Sequence, residues 1–348
     1  MNYKNTLLIT FPVDLGNRTL ESNFQAIFIE DMDNYRFAKE HATDANSGMT
    51  TLTKSIGYRF KSALGLRKIV SDYTKQGKNI VFHGISPALF SYGIWKPSNT
   101  SIIVDWTRGL YPSTLREPFK KDIIFTIHRK LLSACPRILC QTDAVRENLI
   151  NVYGVNRSST FKVLAPFQVE KLDIPPRHTP TRPRVLFAGG DLKRKGGDII
   201  LEALRKGMFD KCSLTMMTND SAADVNGVNF LPGVKYGSEQ HRKAFEDHDI
   251  LILPTRIDSY PQVVGEAAAA GLAVITTKFA LGATEVVLDG QTGYITDTPT
   301  QCIDRLQDLL NNPSLIDDFK IQGYKVMHKK FSREAIRKSY LQVIERDI

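Results

Sequence analysis

Short apolar runs alternate with longer amphipathic segments from one end of this chain to the other. Residues 5–11, 80–82, 101–104, 138–141 and 162–165 have the length and β-branched content of strands. Segments 51–75, 118–133 and 143–153 between them repeat their apolar residues at helical spacing. The alternation breaks at LDIPPRHTPTRP, where Pro175, Pro176, Pro180 and Pro183 crowd together. Proline cannot donate to a sheet ladder or continue a helix, so 175–183 reads as a connector between domains. Past it the pattern restarts, with strands predicted over 184–188, 213–218, 250–253 and 273–276. Helices are predicted over 197–205, 238–246 and 261–270, and closing helices from 301 onward. Strand–helix alternation on both sides predicts an α/β chain of two Rossmann-like parallel-sheet domains, 1–174 and 184–330. A last helix over 331–348 is expected to pack back toward the first domain. Ligands of such sheets bind beyond the carboxyl ends of the strands, so the chemistry is expected in a cleft between the domains.

Composition narrows the class. Of 348 residues 42% are apolar and 24% charged, which fits globular domains and excludes disordered, collagen-like and coiled-coil chains. The longest uncharged run worth testing as a membrane span, between Lys78 and Lys96, is broken by Gly84, Pro87 and Gly93. The opening MNYKNTLLITFPVD has too short an apolar run for a secretory signal. Four cysteines, Cys135, Cys140, Cys212 and Cys302, show neither a disulfide framework nor metal spacing, and a reducing cytoplasm is the expected location.

The net charge of +9 is concentrated in one segment. Residues 51–137 hold 15 Lys or Arg against 4 Asp or Glu, and the rest of the chain holds 31 against 33. Two amphipathic stretches carry the excess: Lys54, Arg59, Lys61, Arg67, Lys68 and Lys75, then Arg116, Lys120, Lys121, Arg129 and Lys130. Solvated helix faces would explain them, and so would an anionic membrane surface or acidic acceptor. No finger, recognition helix or aromatic-basic RNA motif accompanies the charge, so nucleic acid is not expected.

The segment richest in chemistry is LPTRIDSYPQVVGEAAAAGLAVITTKFALGATEVVLDGQTG. A strand ends there, a loop presents Asp258, Ser259 and Tyr260, and a helix opens at Pro261 and Gln262. The first N–H groups of such a helix form an anion site suited to phosphate. Glu266 follows on the same helix, where a carboxylate would accept from the vicinal hydroxyls of a ribose. In order and spacing, Asp258 with Glu266, Glu-Ala-Ala-Ala-Ala-Gly and the stretch from Glu285 to Gly293 resemble the family-4 retaining glycosyltransferases of GT-B fold. The first acid of that family is usually Glu; here it is Asp258, with a shorter reach.

A second stretch, VLFAGGDLKRKGGDIILEALRKG, agrees with the resemblance. Lys195 matches the family's lysine before a glycine, where its ammonium, with neighbouring Arg194, would neutralise a diphosphate leaving group. The family often carries Arg where Gly190 stands, so either Arg194 compensates or the leaving group is held less tightly. Backbone near Val234 and Lys235 matches the place where the family meets the nucleotide base. Gly16 and Asn17 fit the glycine loop after its first strand, and Thr142 and Arg146 fit the segment that closes its first domain. Where family members often carry a catalytic-face His, this chain has Asp105, with Thr107 two residues on and His83 ending the preceding strand. Asp31-Met32-Asp33 spells a metal-binding Asp-x-Asp but lies too early and lacks the pattern around it.

The resemblance implies a two-domain GT-B enzyme of hexosyltransferase type, active in polysaccharide biosynthesis. It would move sugar with retention from a nucleoside-diphosphate sugar to a glycan or lipid-linked acceptor. No cofactor or divalent metal is expected: the catalytic set is Asp105, Lys195 and Asp258, and residues 51–137 would face a membrane's inner surface. A polyanion-binding protein without catalysis, and a nucleotide-sugar epimerase on the same fold, are the alternatives.

Overall fold

A computed structural model describes residues 4–11, 15–37, 50–110, 121–219 and 225–346, without the side chains of 15–18, 50–61 and 170–171. The chain divides into two compact units, Met1–Leu164 with Ile336–Ile348, and Ala165–Ala335.

The first unit is built on six parallel strands: β1 (Thr6–Thr10), β2 (Met32–Arg36), β3 (Asn79–His83), β4 (Thr100–Val104), β5 (Ile138–Cys140) and β6 (Thr160–Lys162). Their order across the sheet is β2-β1-β3-β4-β5-β6. Helices α1 (Leu15–Phe28), α2 (Thr50–Lys75), α3 (Ile85–Phe90), α4 (Ile123–Ser133) and α5 (Asp143–Asn151) connect them. The chain moves one way from β1 to β2 and the opposite way at every later crossover. Right-handed connections therefore place α1 on one face and α2 to α5 on the other. On the α2–α5 face, Leu66, Val70, Tyr73, Phe125, Leu132 and Leu149 pack onto Ile80, Phe82, Ile102 and Ile138. On the opposite face Tyr340, from the closing helix α12 (Arg333–Ile344), packs edge-on against Phe24 and tilted against Phe28 of α1. Side-chain caps set where α4 and α5 begin: Asp122 accepts from Phe125 N and Thr142 from Val145 N.

The second unit repeats the plan with β7 (Arg184–Ala188), β8 (Ser213–Met217), β9 (Val228–Phe230), β10 (Ile250–Leu253), β11 (Ala273–Thr277) and β12 (Gly293–Thr296). These strands are parallel in the order β12-β11-β10-β7-β8-β9, with Leu253 level with Thr276. Its helices are α6 (Gly197–Arg205), α7 (Glu239–Glu246), α8 (Gln262–Ala269), α9 (Ala283–Val286), α10 (Gln301–Leu310) and α11 (Pro313–Lys330).

Three expectations are corrected. The Pro-rich segment is not a free connector, because the partition comes before it and it is strapped onto α11. Thr179 donates to Asp317 through its N–H and hydroxyl (2.9 and 2.5 Å), and the buried Lys320 ammonium reaches the Arg177 carbonyl (2.6 Å). Prolines lack donors, but the carbonyls and hydroxyl around them still accept and donate. Gly16 and Asn17, expected in a loop, lie in the first turn of α1, which runs on into the buried Leu20, Phe24 and Ile27. The expected strand at 162–165 sits earlier, at β6. The expected helix start at 118–120, with Arg116 and Lys120, lies outside the described residues.

Candidate active site

The second unit gathers most of the predicted donor residues. β7 ends at Ala188, and the chain turns through Gly189 and Gly190 into the basic triplet Lys193, Arg194 and Lys195. Two glycines set the path of this loop. Gly196 has φ +80°, and a Cβ there would lie 2.0 Å from the Pro254 carbonyl oxygen, so the loop rests directly on the backbone that follows β10. A Cβ at Gly189 would lie 2.9 Å from Lys195 Cγ, so the bare glycine leaves the lysine stem its channel. A Cβ at Gly190 would meet nothing within 4 Å, so no clash bars an Arg there.

Hydrogen bonds staple this loop to the segment after β10. Arg194 O accepts from Arg256 N (2.9 Å) and from the Thr255 hydroxyl (3.3 Å). Arg194 itself is held by Asp191 (2.9 Å to its N–H) and donates to the Ile257 carbonyl (3.2 Å). The Arg256 guanidinium pairs with both Asp198 oxygens, at 2.7 and 2.9 Å. The geometry brings Lys195 Nζ into direct contact with Asp258 Oδ2, with Arg194 Nη1 3.8 Å from the same oxygen. Lys195 and Asp258 are mostly buried while Arg194 is half exposed.

Asp258 is fixed by its backbone as well. Its N–H donates to the Phe279 carbonyl (2.9 Å) and its carbonyl accepts from Leu281 N (3.0 Å). Ser259 O accepts from Gly282 N (2.8 Å), and the Tyr260 ring lies so close to Gly282 that a Cβ there would fall 2.3 Å from it. Pro261 caps α8 with φ −65°, and Gln262 opens the helix. The N-terminus of α8, with its partial positive charge, therefore follows directly on the Lys195–Asp258 pair. Farther along α8, a Cβ at Gly265 would fall 2.3 Å from the Phe167 ring, so that aromatic fixes the height of the helix.

Glu266 is buried on α8, its Oε2 3.7 Å from His241 Nε2. His241 lies between Tyr236 and Phe245, with ring centroids at 5.3 and 5.1 Å. Burial and then the Glu266 charge push the Tyr236 phenol above its usual range. Val234 is half-buried and Lys235 exposed in the turn just before, which closes through Ser238 N to Lys235 O (3.1 Å). Tyr236 and His241 were not legible as site residues. The one available signal was His241 one helical turn before Phe245, behind the capping Ser238. The stretch from Glu285 to Gly293 is tied into the second unit by its own contacts. A Cβ at Gly293 would lie 2.2 Å from the Val274 carbonyl, Asp289 accepts from Ile295 N (2.9 Å), and Glu285 O accepts from Lys330 (2.8 Å).

The other predicted residues belong to the first unit. Asp105 lies just past β4 and beside His83. Burial holds the His83 imidazole below its usual pKa, although Asp105 and Glu21 both favour its charged form. Glu21, unflagged in the sequence, accepts from the Thr10 hydroxyl (2.6 Å) and lies 3.4 Å from Arg36. Thr107 is buried and donates to Asn148 (2.7 Å). Asp31 is paired with Arg337 at 2.5 and 2.6 Å, and Asp33 accepts from Lys4 N and the Tyr73 hydroxyl. Both acids are thus engaged in contacts within the first unit. All four cysteines are buried free thiols, and burial pushes Cys135, Cys140 and Cys302 up to about 12.

Two six-stranded parallel sheets, with a lysine, an arginine and a carboxylate gathered where α8 begins, define a GT-B protein. Residues 182–312 match the family model described as Glycosyl transferases group 1. It is 25% identical over 215 residues to D-inositol 3-phosphate glycosyltransferase of Paenarthrobacter aurescens (strain TC1), a match covering 55% of this chain and 52% of that protein. The chain thus spans about half the length of that curated relative. Among solved structures, HepE of Anabaena in complex with UDP and glucose is similar at a TM-score of 0.73 and 12% identity, covering 98% of this chain and 99% of that one. S. aureus TarM is similar at a TM-score of 0.64 and 14% identity, over 82% of this chain and 58% of that one. At these identities the structures speak to the fold.

Proposed function

We propose that this chain transfers a sugar, with retention of configuration, from a nucleoside-diphosphate sugar to a glycan or lipid-linked acceptor. The observation that carries the reading is the meeting of Lys195, Arg194 and Asp258 at the start of the helix that also bears Glu266. Without donor, Asp258 neutralises Lys195. An arriving diphosphate takes over the ammonium and the N–H groups of α8, and Asp258 is released to accept from sugar hydroxyls. As the sugar–phosphate bond breaks, negative charge grows on the diphosphate. Lys195 and Arg194 are already in place to stabilise it, with no reorganisation at the moment of reaction. Glu266 accepts from the ribose hydroxyls, and backbone near Val234 and Lys235 meets the base. Uridine is the base to test first, because HepE was solved with UDP and glucose.

In this reading the fixed cations and the helix terminus do the work of a divalent metal. Asp105, whose charge acts on the buried His83, is the polar group that this reading assigns to the donor sugar. The acceptor is held by the first domain, with residues 51–137 toward the inner face of a membrane and the protein otherwise cytoplasmic.

Glu266→Gln is expected to weaken UDP binding about tenfold in calorimetry, because one acceptor for paired hydroxyls is lost and an amide N–H is pointed at them. Asp105→Ala should leave UDP affinity unchanged and lower turnover. Unchanged UDP affinity in Glu266→Gln would remove the ribose role, and unchanged turnover in Asp105→Ala would remove the sugar-facing one.

A further inference from the structure

Six of the ten large apolar side chains exposed among the described residues lie on one layer of the first unit: Leu64, Phe90, Tyr92, Ile123, Ile124 and Ile127. This is the layer of α2, α3 and α4, in which α3 packs against both neighbours and Arg67 ties α2 to the Phe90 carbonyl (3.0 Å). Helix α4 is the most unusual of the three. Phe125, Leu131 and Leu132 face the core, while Ile123, Ile124 and Ile127 point outward at 75%, 48% and 41% exposure. A helix apolar on both sides is normally covered on both sides.

What surrounds these isoleucines is basic. Lys121, Arg129 and Lys130 are exposed on and beside α4, and Arg67 and Lys68 share the exposed side of α2 with Leu64. Four acids fall between residues 51 and 137. Asp122 caps α4 and pairs with Arg108 (2.7 and 2.9 Å), Asp105 lies beside His83, and Glu117 is outside the described residues. Of the four, Asp72 remains on α2 to offset the cations. A docked protein would have to supply hydrocarbon at the centre and carboxylates all round the rim. A bilayer with anionic headgroups supplies both over any area.

We infer that α4 docks on an anionic lipid bilayer, with Ile123, Ile124 and Ile127 in the interfacial hydrocarbon and Lys121, Arg129, Lys130, Arg67 and Lys68 against the headgroups. Among the described residues no helix is long and apolar enough to cross a membrane, so this is peripheral docking and reversible. Its purpose rests on the transferase reading, since it puts the first domain where a lipid-linked acceptor lies. The docking itself stands on exposure and charge.

The test is co-sedimentation of the full chain with vesicles of phosphatidylcholine, or of phosphatidylcholine and phosphatidylglycerol in roughly equal parts. The chain should pellet with the mixed vesicles, weakly with the neutral ones, and less as salt is raised. Replacing the three isoleucines together (Ile123→Gln, Ile124→Gln, Ile127→Gln) should weaken partitioning at least about tenfold, with an unchanged melting temperature. Lys121→Glu with Lys130→Glu should remove the preference for the anionic vesicles. Equal pelleting with both vesicles, none with either, or wild-type partitioning by the triple variant would overturn the inference. So would a self-associating species that forms without lipid and is lost in the triple variant, which would make the face a protein interface. Binding of a panel of nucleoside diphosphates in vesicle-free solution separates the two readings. If one of them binds but the chain does not dock, this inference alone fails; if the chain docks and binds none of them, the transferase reading fails.

Discussion

Lys195→Ala should lower turnover by about a hundred- to a thousandfold, the effect of removing one preorganised donor from developing charge, roughly 3–4 kcal/mol. The size follows from placement. Lys195 is mostly buried, its stem is confined against Gly189, and its ammonium touches Asp258 at the start of α8. A low-dielectric setting makes such a charge worth more than a solvated lysine. The fold should survive, because the loop is held by Asp191, Arg194 and the Arg256–Asp198 pair, none of which uses the Lys195 side chain. Steady-state kinetics beside a melting curve check both halves. Turnover within about threefold of wild type would take Lys195 out of the leaving-group role.

Gly196→Ala should be nearly as damaging, by another route. The new methyl would lie 2.0 Å from the Pro254 carbonyl, and the backbone at φ +80° already disfavours an L side chain. Neither side of that contact is a flexible side-chain end, so the loop or the strand terminus has to shift. Strain of about 1 kcal/mol from the left-handed conformation adds to roughly 1–3 kcal/mol of overpacking. The shift would carry Lys195 away from Asp258, so turnover should fall along with stability. Gly190→Ala is the internal control, since its added methyl meets nothing within 4 Å and should be close to neutral in both measurements. Equal behaviour of the two variants in denaturant unfolding and turnover would show that the loop does not rest on Pro254 as described.

Much of the second unit was legible because its signals are local. Runs such as Ile250–Leu253 are wholly apolar, since a central parallel strand is buried on both faces, and the loops after them carry punctuating glycines and prolines. The Lys195 loop and the Asp258 loop could each be picked out of the sequence. Their contact could not, because it depends on Gly196 meeting Pro254 across two strands of the sheet. The β2 strand escaped notice because it is an edge strand with polar residues outward, Met-Asp-Asn-Tyr-Arg, and reads as a turn. The Pro-rich segment was misjudged because proline content reports missing donors and says nothing about the carbonyls that Lys320 can reach. His241 and Glu21 are polar residues on helices, and only the fold shows that they reach Glu266 and Thr10. The exposed isoleucines of α4 have the periodicity of core residues, and sequence alone cannot tell an outward apolar stripe from an inward one.

The central claim is that this chain holds a nucleoside-diphosphate sugar through the Lys195 and Asp258 loops and releases the diphosphate. It is tested most directly by incubating the full chain, in excess chelator, with a panel of nucleoside-diphosphate sugars while following nucleoside diphosphate release and the melting temperature. At least one donor should raise the melting temperature and be cleaved, with cleavage lost in Lys195→Ala and unaffected by the chelator. A panel in which no donor shifts the melting temperature or is cleaved, or in which cleavage survives Lys195→Ala or needs a divalent cation, would contradict the account.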